Sequence, residues 1–185
     1  MSCLACGAGK FRNGAASTSI ETVACTACPS GYYQDASAQL SCHACAAGKH
    51  RTSADASSIE SVACSVCPTG TYQSIKAQLT CTACAAGKHR NGSAASSAEP
   101  VACNTCSSGH YQPAAGQLSC TACGAGKHRS SAVASSVEST ACVACEAGRF
   151  QDLEAQLGCI QCSIGKFRNA EVASSAENIA CTMCT

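Results

Sequence analysis

Ten C-x-x-C pairs hold all twenty cysteines of this 185-residue sequence, and no other residues combine type and spacing in a way that points so directly to chemistry. Three chemistries are open to such pairs. Disulfides would staple a chain that has little core of its own. Zinc would draw four thiolates from two pairs, and C-x2-C-x18-C-x2-C lies within the spacing of a four-cysteine site. Thiol redox chemistry needs one privileged pair at a helix N-terminus, and ten equivalent pairs without a helix signal speak against it. Haem attachment needs a His directly after the second cysteine, which occurs nowhere here, and an iron–sulfur cluster needs a third cysteine at short spacing.

Composition separates the first two. There is no Trp, only three Phe and four Tyr, and 12% of residues are charged. The 46% of hydrophobic residues consists largely of Ala and Cys, which bury little area each. At ~25 cal/mol per Å² such a chain cannot offset its ordering entropy without further constraints. Disulfides, and with them an extracellular or cell-surface location, are therefore the leading expectation. Zinc is the minority alternative, and otherwise no cofactor is expected. A knuckle-type site favours Gly near the second cysteine, but Gly follows it directly only at Gly7 and Gly124. No Ser-His-Asp set, carboxylate pair or phosphate loop stands out, so no enzyme is expected. A net charge of +1 argues against nucleic acid as a partner. No apolar run reaches the ~20 residues that span a bilayer.

The elements that carry the cysteines repeat. The first residues of the pairs are Cys3, Cys25, Cys42, Cys64, Cys81, Cys103, Cys120, Cys142, Cys159 and Cys181, so the steps alternate between 22 and 17 and the period is 39. The units are 1–39, 40–78, 79–117, 118–156 and a truncated 157–185. Met1 falls on the position of Leu40, Leu79, Leu118 and Leu157, so the array is expected to run on past both ends.

Each unit contains a longer and a shorter half with a common grammar, C-x-x-C-x-x-G-x-(ring)-(Arg or Gln). The longer half shows it in Gly48-Lys49-His50-Arg51, the shorter in Gly31-Tyr32-Tyr33-Gln34. A Gly three residues after a Cys suits a tight turn at positive φ, and the ring opens a short extended segment. The aliphatic before the next pair (Leu40, Val62, Leu79) is expected to end the return segment and, with the ring, to form the core of the half. The Ala/Ser runs, such as Ala132–Ser136, lack caps and a second apolar face and read as loop. The predicted fold is a small disulfide-rich repeat array, short β-hairpin loops stacked into an elongated rod with little or no helix.

Spacing leaves three disulfide pairings open: each pair to the next, closure within each C-x-x-C, or crossed 1–3/2–4 bonds. Cys28-Pro29-Ser30-Gly31-Tyr32-Tyr33-Gln34 and Cys67-Pro68-Thr69-Gly70-Thr71-Tyr72-Gln73 resemble the cysteine-rich repeats called ephrin-receptor-like, and the first module of tumour-necrosis-factor-receptor cysteine-rich domains. The likeness covers the chain half after half, and arrays of this kind occur in protist and algal surface proteins. The resemblance implies a ladder in which the second cysteine of one pair bonds the first of the next. Its rungs would be Cys6–Cys25, Cys28–Cys42, Cys45–Cys64, Cys67–Cys81, Cys84–Cys103, Cys106–Cys120, Cys123–Cys142, Cys145–Cys159 and Cys162–Cys181, with Cys3 and Cys184 left over. The regular pattern shows no second module of crossed bonds.

His50, His89 and His128 stand where Phe11 and Phe167 stand in other units, which reads as a packing ring before a metal or pH-switch site. His43 and His110 recur nowhere and are expected at the surface. The recurring Lys, Arg and Glu of the longer halves are weighed as a solvated face against a charge ladder between units. Asn91-Gly92-Ser93 is an N-glycosylation sequon, and Thr52, Ser57, Ser58, Ser96, Ser97, Ser130, Ser135, Ser136, Ser174 and Ser175 are candidates for O-linked sugar. Equal units without a divergent member suit a structural subunit of an extracellular filament, surface hair or coat, whose partners are itself or other filament subunits and covalent glycans. The alternatives are a receptor or adhesin ectodomain, or a shielding surface antigen.

Overall fold

The computed structural model describes residues 5–12, 24–53, 59–92, 99–131, 135–168 and 177–184. They contain nine two-stranded antiparallel hairpins and one-turn helices at Glu60–Ala63, Glu99–Ala102, Glu138–Ala141 and Glu177–Ala180. Ser135 and Ser136 are non-helical, while Ala132, Val133 and Ala134 lie outside the described residues. The chain divides into two compact units, Met1–Ala83 with Gly92–Ala102, and Cys84–Asn91 with Cys103–Thr185.

Each hairpin follows from the half-repeat grammar. The Gly takes up positive φ, as at Gly9 (83°), Gly48 (84°) and Gly126 (83°), and turns the chain into the ring-bearing strand. The return strand is not the one expected. Lys49–His50 pairs with Ser65–Val66, the two residues between the cysteines of the next pair, and Cys67 N–H donates to Gly48 C=O at 2.9 Å. The hairpin thus runs through the C-x-x-C itself. The aliphatic before it is left outside the ladder, in the short helix or in the bend that leads into the pair.

The core is corrected accordingly. Leu40 (75% exposed), Val62 (74%) and Val101 (77%) face solvent instead of forming a hydrophobic centre. Among the described residues the buried hydrophobic side chains are cysteines, alanines and Phe150. The one-turn helices explain the alanines: each sets Ala63, Ala102, Ala141 or Ala180 inward, immediately before a cysteine. The rings pack not within their own half but onto the next disulfide. Tyr33 lies against Cys45, Ala63 and Cys64 in the first unit, and Tyr111 against Cys123, Ala141 and Cys142 in the second.

The structure joins Cys6–Cys25, Cys28–Cys42, Cys45–Cys64 and Cys67–Cys81 in the first unit. In the second it joins Cys84–Cys103, Cys106–Cys120, Cys123–Cys142, Cys145–Cys159 and Cys162–Cys181. Cys184 is a free, exposed thiol, and Cys3 lies outside the described residues.

Successive halves are tied by main-chain hydrogen bonds that need no particular side chain. In the first unit the turn amides of Gly9, Gly31 and Gly48 donate to the carbonyls of Gln34, Arg51 and Gln73 at 2.6, 3.0 and 2.7 Å. In the second, those of Gly87, Gly109, Gly126 and Gly148 donate to Gln112, Arg129, Gln151 and Arg168 at 2.7, 2.9, 2.7 and 2.9 Å. One more contact recurs between successive repeats. Ala38, Ala77 and Ala155 sit at φ 64°, 58° and 58°, with Gly116 at 73° in the same place. The carbonyl groups of Ala77 and Ala155 press onto Gly31 and Gly109, so closely that a Cβ there would meet the oxygen at 2.3 and 2.2 Å.

Candidate functional site

A Gln in each shorter half and an Arg in four of the five longer halves are buried, and they organise the surface around them. Gln34, Gln73, Gln112 and Gln151 are 1–7% exposed. Each amide spans the bend that follows it: Gln112 Nε2 donates to Ser119 C=O at 2.6 Å, and its Oε1 accepts from Ala114 N–H at 3.1 Å. The same pair of bonds forms at Gln34, Gln73 and Gln151. Arg51, Arg90, Arg129 and Arg168 are 4–6% exposed. Nη1 of Arg51 donates to Tyr32 C=O, and Nη1 of Arg129 to His110 C=O, so each guanidinium reaches back into the shorter half before it. Sequence reasoning read these residues as part of the repeat grammar and missed their burial. The available signal was a Gln or Arg held directly after the ring in half after half, where a solvent-facing position would drift.

Replacing Gln112 by Leu is expected to cost about 2 kcal/mol, because a carbonyl and an amide each lose a partner while water still reaches both at the rim. Hydrogen exchange should quicken at the amides of Ala114 and Gly87, the latter bonded to Gln112 C=O. Unchanged protection at both would refute the bracing role.

Charged residues of the longer half pair within that half: Lys49–Glu60 at 3.1 Å, Lys127–Glu138 at 2.6 Å and Lys166–Glu177 at 3.3 Å. They lie at the surface, where such pairs are weak. The hydrogen bond from Lys127, and then its charge, hold the Glu138 carboxyl below the usual carboxylate range. A lowered folded-state value means that the contribution is present above the unfolded carboxyl's value and is lost as pH falls through the folded one. Lys127→Met should therefore raise the Glu138 titration midpoint, read by NMR at the side-chain carboxyl. An unmoved midpoint would show that Lys127 is not the cause.

His50, His89 and His128 bring Nδ1 to 3.3, 3.2 and 3.3 Å from the Sγ atoms of Cys81, Cys120 and Cys159. His43 is exposed and lies 5.7 Å from the Tyr33 ring. His110 is half-buried, not fully at the surface, because its ring folds back toward Ser107 and Ser108.

Of the proposed sugar acceptors, Asn91, Thr52, Ser130 and Ser136 are exposed and Ser135 is half-buried. Asn91 lines a shallow hollow with His89, Thr105 and Leu118. Ser57, Ser58, Ser96, Ser97, Ser174 and Ser175 lie outside the described residues. Exposed aliphatic side chains recur along the described residues. Leu40 and Leu79 in the first unit, and Leu118 and Leu157 in the second, are 75, 49, 50 and 56% exposed at one repeat position. Val62 and Val101 in the first unit and Ile179 in the second are 74, 77 and 74% exposed at another. No helix of the described residues is long and apolar enough to cross a membrane.

A family model described as tyrosine-protein kinase ephrin type A/B receptor-like matches four successive stretches, residues 20–61, 56–100, 92–139 and 134–178. No curated protein matches the chain.

Proposed function

This chain belongs to the ephrin type A/B receptor-like family of cysteine-rich repeats, and on that premise we propose that it serves as a structural subunit of an extracellular filament, surface hair or coat. The observation that carries the reading is the periodic aliphatic surface. An exposed leucine recurs at one fixed position of four successive repeats, and an exposed aliphatic at a second position in three of them, with Thr140 standing there in the other. A solitary monomer gains nothing from keeping them out of its own core. A charge of only +1 leaves little repulsion to oppose side-by-side packing of like chains. Each leucine covered on association would contribute about 2 kcal/mol, and identical positions repeated along a chain multiply that contribution. The disulfide framework suits a location outside the reducing cytosol. Glycans at Asn91 and at the exposed hydroxyls of Thr52, Ser130 and Ser136 would limit which faces can associate.

The test pairs imaging with substitution. Native material should show filaments or a periodic coat, and the full chain with Leu40, Leu79, Leu118 and Leu157 changed to Ser should stay folded but lose self-association in sedimentation. Dispersed monomers that bind a defined protein partner, with the four-fold variant unaffected, would overturn the filament and favour a receptor or adhesin ectodomain. Treatment with an N-glycan-cleaving amidase should lower the mass of the peptide that carries Asn91.

A further inference from the structure

Three disulfides differ from the rest in having an imidazole against one sulfur. His50, Cys67 and Cys81 place one ring nitrogen and two Sγ atoms within 4.8 Å of one another, as do His89, Cys106 and Cys120, and His128, Cys145 and Cys159. Cys28–Cys42 is the natural contrast: the residue in the His position of that repeat is Phe11, which has no nitrogen to offer.

We propose that these three disulfides, once opened by a dithiol reductant, become Cys2His sites for a thiophilic divalent cation of the zinc class. The dimensions fit that chemistry. With Zn–S at about 2.3 Å and Zn–N at about 2.0–2.1 Å, a tetrahedral site needs N···S of roughly 3.5 Å and S···S of roughly 3.8 Å. The Nδ1···Sγ separations are already 3.3, 3.2 and 3.3 Å. The second sulfur of each group lies within 4.8 Å of the ring nitrogen, and cleavage of the bond between the two sulfurs frees them to move apart to the tetrahedral spacing.

The steps balance. A thiolate of the reductant attacks the half-buried sulfur of Cys81, Cys120 or Cys159, and the fully buried partner sulfur of Cys67, Cys106 or Cys145 leaves as thiolate and takes up a proton. The second thiolate of the reductant then attacks the reductant's own sulfur in the mixed disulfide, and Cys81, Cys120 or Cys159 leaves as thiolate and takes up a proton. The reductant ends as its own disulfide, and the protein gains two electrons and two protons as two thiols. Cation binding releases both thiol protons to solvent. Two thiolates and one neutral imidazole then fill three positions, and the fourth is open to water or to a ligand from elsewhere. These sites differ from the four-cysteine sites that the spacing alone suggests, because each takes a ring nitrogen from the longer half that precedes its two cysteines.

The probe is Co2+, whose thiolate charge-transfer absorption reports sulfur ligation directly. The full chain is reduced stepwise with dithiothreitol, its thiols are mapped by alkylation and mass spectrometry, and it is titrated with Co2+ in parallel. Uptake of three tightly held ions per chain is expected, one for each His–Cys–Cys group. His89→Phe should remove one of the three, and the triple variant His50→Phe, His89→Phe, His128→Phe should bind at least about tenfold more weakly at every site. Phe already occupies this position at Phe11 and Phe167, so the oxidised variants should fold, as an unchanged thiol count before reduction would verify. Equal Co2+ affinity in the triple variant would overturn the proposal, as would no Co2+ uptake by the reduced chain. A fold lost on reduction and not restored by Co2+ would overturn it too.

Discussion

Removing the Cys123–Cys142 disulfide, by changing both residues to Ala, is expected to destabilise its half of the repeat by about 3 kcal/mol. The bond spans 19 residues, and closing a loop of that size removes about that much free energy of disorder from the unfolded chain. Loop length does not set one rung apart from another, since separations of 19 and 14 differ by only ~0.3 kcal/mol in closure entropy. What marks this rung, like its equivalent Cys45–Cys64, is its packing. Tyr111 lies against Cys123, Ala141 and Cys142, so the loss of sulfur also loosens the shorter half before it. Because units of a repeat array contact mainly their neighbours, the damage should stay local. Hydrogen exchange should show lost protection at Cys145 N–H, which bonds Gly126 C=O at 2.9 Å. The hairpin of Lys166–Phe167 with Thr182–Met183 should keep its own. Uniform loss of protection across the chain would mean that the repeats fold as a single cooperative body, and no loss would mean that the rung is redundant.

Gly109→Ala should be at least as damaging, by about 3 kcal/mol or more, through a different cause. Two costs add. A side chain at φ +81° carries roughly 1–2 kcal/mol of left-handed strain. The new Cβ would also stand 2.2 Å from the Ala155 carbonyl oxygen, and main chain has no rotamer with which to yield. A shift of the backbone adds roughly 1–3 kcal/mol. Gly148 supplies the control within the same molecule: its φ is +77°, but nothing lies within 4 Å of its virtual Cβ. Gly148→Ala should therefore cost only the strain, roughly 1–2 kcal/mol. Equal losses at the two positions would show that the contact between Gly109 and Ala155 adds nothing to stability.

Much of the local structure can be read without coordinates. Gly48 followed by Lys49, His50 and Arg51 marks a turn and a strand because only Gly takes the required φ without strain, and the strand need be only two residues long. The membership in a cysteine-rich family is legible in stretches such as Cys67–Gln73 for the same reason: the motif encodes a turn, a ring and a bond at fixed offsets. Burial is where reading along the chain fails. A hydrophobic scale puts Val62 and Leu40 inside and Arg51 and Gln34 outside, and the structure has them reversed. The scale assumes a core filled by apolar volume. Here the interior is narrow, occupied by disulfides and alanines, and crossed by main-chain groups from two halves that need hydrogen-bond partners. A guanidinium or amide that satisfies several of them is worth more there than an aliphatic that satisfies none.

The cysteine pairs with which the chain announces itself divide in the same way. Their number, their 39-residue period and the glycine turns that follow them are written in the sequence, because each is a matter of residue type and spacing along the chain. The tertiary structure alone decided that Arg129 reaches His110 C=O across 19 residues, and that His89 lies against Cys120 across 31. It alone decided that the leucines of successive repeats remain exposed. These outcomes depend on how one half seats on the next, which is set by main-chain hydrogen bonds that every residue type can make. No one-dimensional pattern of side chains specifies such a contact.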